Sequence, residues 1–101
     1  MLYKIKQILH TGTCGDFGTE RTDGRYPKRI GRVVEIDSNK LQVDRSMVIR
    51  YVRESDGTPI EGLYLFMSYI ISISENINKL KVTTLNSIYI FERVQEDGKL
   101  L

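Results

Sequence analysis

The residues best suited to chemistry gather between Thr19 and Arg32. This stretch holds Arg21, Arg25, Lys28, Arg29 and Arg32 against Glu20 and Asp23, five cations to two carboxylates in a chain whose formal net charge is only +2. Tyr26 stands among them and Phe17 just before them. Cations that neutralise phosphates, set beside rings that stack on bases, suit a single-stranded or RNA-binding surface. The plainer alternative is a solvated loop whose arginines pair with Asp37, Asp44 and Glu54. Arg21, Arg25, Tyr26, Lys28, Arg29 and Arg32 are therefore the candidate binding residues.

Two other groups carry reactive atoms. His10 and Cys14 are the only histidine and the only cysteine, with Asp16 and Asp23 close in sequence. Zinc takes imidazole, thiolate and carboxylate ligands, but structural sites draw four, mostly from Cys and His. Cys14 as a nucleophile would need His10 as its base and a third group to orient that base, and no third group stands out. Glu35 and Asp37 share a strand phase, which an exposed hairpin end explains. No cofactor motif is present. The expectation is a chain that is not an enzyme, with no catalytic residue, no metal site and no cofactor.

The elements that must position the basic stretch read as strands. Leu2–Leu9 alternates loosely, with Tyr3, Ile5 and Gln7 on one face and Lys4, Lys6 and Ile8 on the other. Residues 10–28 form a long loop containing Gly12, Gly15, Gly18 and Gly24, with a turn signal at Asp23-Gly24 and a pairing stop at Pro27. Loops of this length in small domains are usually functional or disordered. Arg29–Ile36 reads as a second strand, followed by a polar turn at Asp37–Lys40. Leu41–Val43 then returns as a hairpin strand, or joins Met47–Arg53 in one long bent strand. Ser55–Pro59 is the clearest turn.

Leu63–Val94 is the most apolar, β-branched and aromatic part of the chain. From Leu63 to Ile73 the odd positions alternate without a break, while Tyr64, Phe66 and Ile70 make the other face nearly as apolar. A strand apolar on both faces is central or crosses between sheets, with Ser68 as the bend. Glu75–Lys79 is a polar connection, Leu80–Thr84 pairs back, Asn86-Ser87 turns, and Ile88–Val94 is the final strand.

With 101 residues, 41% hydrophobic and 28% charged, the chain suits one globular domain, residues 1–94, with residues 95–101 as a flexible tail. No segment of ten residues keeps a helical period. The predicted class is all-β: a small antiparallel barrel of five to seven strands, SH3-like, with the long loop between its first two strands. A compact sandwich is the alternative. No apolar run reaches the roughly 18 residues of a membrane helix. The alternating start, Met1–Lys6, is unlike a signal peptide, and a lone cysteine allows no internal disulfide. A cytoplasmic setting is expected.

Gly31-Arg32-Val33-Val34-Glu35-Ile36 resembles the glycine-plus-strand segment of SH3-like barrels that bind RNA in ribosomal and transcription-elongation proteins. Residues 67–70 followed by 82–89 resemble a design found in small bacterial and phage proteins. The expected role is a small non-enzymatic interaction module with a protein partner or a second copy of itself. Tyr3, Tyr26, Tyr51, Tyr64, Tyr69 and Tyr89 could line a peptide groove, and an exposed strand edge could pair with another copy. The alternative role is a nucleic-acid-binding barrel that uses residues 19–32.

Overall fold

Seven strands form one antiparallel sheet in the computed structural model, which describes residues 1–95 and 99. The strands are β1 (Leu2–His10), β2 (Val33–Glu35), β3 (Met47–Arg53), β4 (Tyr64–Met67), β5 (Ile70–Glu75), β6 (Lys79–Thr84) and β7 (Ser87–Val94). Their order across the sheet is β4-β3-β2-β1-β7-β6-β5, so β4 and β5 are its edges and the sheet is not closed. Most of the expected tail, residues 96–98 and 100–101, lies outside the described residues.

β1 and β7 occupy the middle. β1 is longer than a simple alternation permits because a bulge falls between Ile5 and Gln7. One extra residue resets the phase of side chains along the strand. Ile8, expected opposite Tyr3 and Ile5, therefore joins them inside the core. In β7, Tyr89 stacks on Phe91 with centroids 5.9 Å apart, and Tyr3 meets Phe91 edge-on at 6.3 Å. These rings sit among Val34, Ile49, Leu65, Leu80 and Val82 in a core drawn from one face of the sheet. A smaller cluster of Leu2, Val33 and Val94, with Val52 against it, covers part of the opposite face.

The apolar run from Leu63 is neither a central strand nor one continuous strand. It breaks after Met67, as the bend expected at Ser68 requires, and its two halves become the opposite edges of the sheet. Two residues, Ser68 and Tyr69, join those edges. Asp44 N–H donates to the Ile70 carbonyl (2.8 Å), and Ile70 N–H donates to the Arg45 carbonyl (3.0 Å). The approach to β3 is thus fastened to the start of β5, and the sheet curls so that its edges meet at this corner.

Two expected strands are corrected. The segment Leu41–Val43 does not pair. The Asp37 carboxylate accepts from Asn39 N–H, the Asp37 carbonyl accepts from Lys40 N–H, and this closes a 3-10 turn over Ser38–Lys40. Asp44 then takes a left-handed conformation (φ 65°), which rules out one long strand through Tyr51. The second strand is only Val33–Glu35, because Tyr26–Arg29 forms one helical turn, α1, with Pro27 in its first turn. Gly31 follows at φ +88°, where a Cβ would lie 2.8 Å from the Ser55 Cβ. Only glycine lets the chain turn there from α1 into β2.

Phe91 is fully buried. Phe91→Ala should destabilise the fold by about 3–5 kcal/mol, read from urea unfolding. Burial pushes the Tyr89 phenol up to about 12. The unfolded chain ionises near the ordinary 10.0. Between those values the unfolded state loses the proton that the folded state keeps, so stability falls as pH rises through that window. Tyr89→Phe should move alkaline unfolding to higher pH, measured by circular dichroism against pH.

Candidate binding groove

The loop that carries the basic residues is fixed to the sheet before it reaches them. Arg21 N–H donates to the Ile8 carbonyl (2.9 Å), and His10 N–H donates to the Thr19 carbonyl (2.8 Å). A turn at the start of β7, flanked by the buried Thr84 and Ser87, receives the Arg21 side chain. In that turn Ser87 N–H donates to Thr84 Oγ1 (3.1 Å). The Arg21 Nη1 donates to the Asn86 carbonyl (2.6 Å) and to Ser87 Oγ (3.0 Å). Its Nε and Nη2 grip the Asp23 carboxylate at 3.1 and 2.7 Å. This two-pronged bond holds Asp23 below the usual carboxylate range and raises Arg21. Arg21 is only 7% exposed, so its charge is spent inside the fold and is withdrawn from the surface.

Tyr26 connects this clasp to the groove. The Arg21 guanidinium lies 4.0 Å from its ring centroid and that of Arg29 lies 4.7 Å away. The ring also packs against the core, which orients α1 over the sheet. Arg32 lies 4.8 Å from the Tyr51 centroid and pairs with Glu54 at 3.1 Å. The Tyr51 hydroxyl is buried without a well-formed hydrogen bond, Arg32 giving only a loose contact. Burial raises the Tyr51 phenol, and Arg29 opposes that rise.

Between α1 and the β4 edge runs a groove of about 460 Å³. Arg25, Lys28, Arg29 and Arg32 line one side. Leu63, Tyr64 and Phe66 line the other, with Tyr51 also contributing. Four of the six predicted binding residues therefore share one groove, Tyr26 supports it from beneath, and Arg21 anchors its frame. Tyr51 and Tyr64, two of the six tyrosines expected as groove residues, line this groove, whereas Leu63 and Phe66 are not expected there. The two-sided apolar pattern of residues 63–66 reads as a buried strand, yet Phe66 is 72% and Tyr64 45% exposed.

His10 and Cys14 differ in exposure. Cys14 is exposed. The His10 ring is buried beneath Gly15, where an added Cβ would lie 2.8 Å from ring atoms. Its Nδ1 has no hydrogen-bond partner among the described residues, and its Nε2 faces Asp23 at 3.8 Å. Among the described residues, no three His, Cys, Asp or Glu side chains stand close enough to hold a metal ion. No helix among them is long and apolar enough to cross a membrane.

No protein-family model matches the chain, and no curated protein and no solved structure is significantly similar to it.

The clasp and the groove cations should respond differently to truncation. Arg21→Ala strands the part-buried Asn86 carbonyl and the buried Ser87 hydroxyl and should cost about 2–3 kcal/mol in chemical denaturation. Arg25→Ala, on the exposed rim, should stay within about 0.5 kcal/mol of the parent in the same assay.

Proposed function

We propose that the chain is a non-enzymatic interaction module whose recognition surface is the groove between α1 and β4, and that its ligand is an anionic segment of a partner protein. One observation carries this reading: four cations, of which among the described residues only Arg32 is in an ion pair with a carboxylate, line an open groove whose other wall is Leu63, Tyr64 and Phe66 of the β4 edge. Clustered charge of one sign steers an oppositely charged partner and sets its register. Tyr64 and Phe66 supply rigid apolar area at little entropic cost. We take the curled, unclosed seven-stranded sheet to be a small barrel of the SH3-like kind, with its binding surface carried by the long connection between β1 and β2.

Single-stranded nucleic acid is the second reading. Two exposed rings on the wall of a cation-lined groove are the elements of a base-stacking surface. The two readings diverge in a direct competition. Fluorescence anisotropy with a labelled glutamate-rich peptide and with labelled oligothymidylate, each titrated at low and high salt, should show the peptide bound more tightly. Lys28→Glu combined with Arg29→Glu should weaken peptide binding about tenfold or more. Preference for oligothymidylate would transfer the groove to nucleic acid. Binding that ignores the double reversal would remove the groove from the function.

A further inference from the structure

The β4 strand carries unpaired backbone groups into this groove, and they specify how a polypeptide would sit there. Its register with β3 pairs Met47 with Met67, Val48 with Phe66, Ile49 with Leu65 and Arg50 with Tyr64. Tyr51 N–H donates to the Leu63 carbonyl (3.0 Å). In an antiparallel ladder, hydrogen-bonded and non-bonded pairs alternate. The groups that face β3 therefore belong to Leu63, Leu65 and Met67. The N–H and C=O of Tyr64 and Phe66 point away from the sheet, along the groove, and have no backbone partner among the described residues.

Resting on the protein-binding reading above, we infer that the ligand is an extended acidic segment that adds to the sheet as an eighth strand beside β4. The two sides of that strand meet different surroundings. α1 stands on the inner side of the sheet, since Tyr26 packs against the core and Arg32 covers the buried Tyr51. Side chains of the added strand that point inward approach Arg25, Lys28 and Arg29. Those that point outward lie beside Tyr64 and Phe66, whose rings project from the opposite face of β4. Because side chains alternate across a strand, the fitting sequence alternates acidic and apolar residues. The charge complementarity is local and the main-chain bonds are independent of sequence, so the cations select the register that the backbone alone would leave free.

The probe is a peptide of alternating valine and glutamate, compared with the same peptide N-methylated at alternate amides. Hydrogen exchange at the Tyr64 and Phe66 amides should slow on binding, and N-methylation of the edge-facing amides should abolish binding. Phe66→Pro removes one outward N–H without touching a bond to β3 and should weaken binding about tenfold beyond Phe66→Ala, which keeps that N–H. If Phe66→Pro fails to fold by circular dichroism, the methylated peptide decides. Binding that is sensitive to Lys28→Glu with Arg29→Glu, but leaves both amides unprotected and tolerates methylation, would overturn strand addition and leave the groove reading standing. No binding of the peptide at all would overturn both. Concentration-dependent protection of these amides in the free protein would assign the edge to a second copy of the chain and also overturn the inference.

Discussion

Two residues between opposite edges of one sheet set the shape of the molecule. From Met67 to Ile70 the chain takes three steps of about 3.8 Å, so these ends lie within about 11 Å of each other. Yet β4 and β5 stand at the two extremes of a seven-strand order. A flat sheet cannot satisfy both conditions. The sheet has to coil until its edges meet at the Ser68–Tyr69 corner, and the bonds between Ile70 and the Asp44–Arg45 backbone hold them there. Coiling gives the sheet an inner face narrow enough for Tyr3, Tyr89 and Phe91 to fill, which is how a chain of this size finds a core without a second layer.

The same corner explains why β4 remains open. The edges meet at one end of β4 and its other end leads away from the contact, with α1 standing across the groove in place of a paired strand. α1 is too short to be stable alone, a single turn with no buried residue of its own. Its position comes from Tyr26, held between the core and two guanidiniums, and from Arg21, which ties the loop to the turn at Asn86-Ser87. A buried arginine with satisfied donors is a costly group to desolvate. What it secures here is the placement of the exposed cations that follow it in sequence.

Much of this architecture was legible in the chain. The β-branched and aromatic content, the turns at 55–59 and 75–79, the bend at Ser68 and the cluster of cations all lie in local composition and period. What stayed hidden depends on distant partners. Nothing near Arg21 distinguishes it from Arg25, because the acceptors that bury it lie at Asn86 and Ser87. Tyr64 and Phe66 read as buried because an apolar pattern reports what a surface could bury, and only the strand order shows that this face of β4 is uncovered. Leu41 has the pattern of a strand residue, yet it is buried from a loop, since the Asp37 turn brings it against the core.

The net charge of +2 understates what a partner would meet. Charge acts over about 8 Å at physiological ionic strength, so a ligand in the groove responds to the cations that line it and not to carboxylates across the molecule. Arg21 is neutralised by Asp23 and Arg32 by Glu54, while Lys6 pairs with Glu92 and Arg50 with Glu35 elsewhere. These pairings remove several cations from the count and leave Arg25, Lys28 and Arg29 concentrated on one wall. The opposite wall is an edge strand whose outward backbone groups have no backbone partner among the described residues. Surplus charge set against unsatisfied main chain would make an otherwise promiscuous edge selective: an uncharged or basic segment could form the same ladder only by leaving those cations unpaired in a partly desolvated groove.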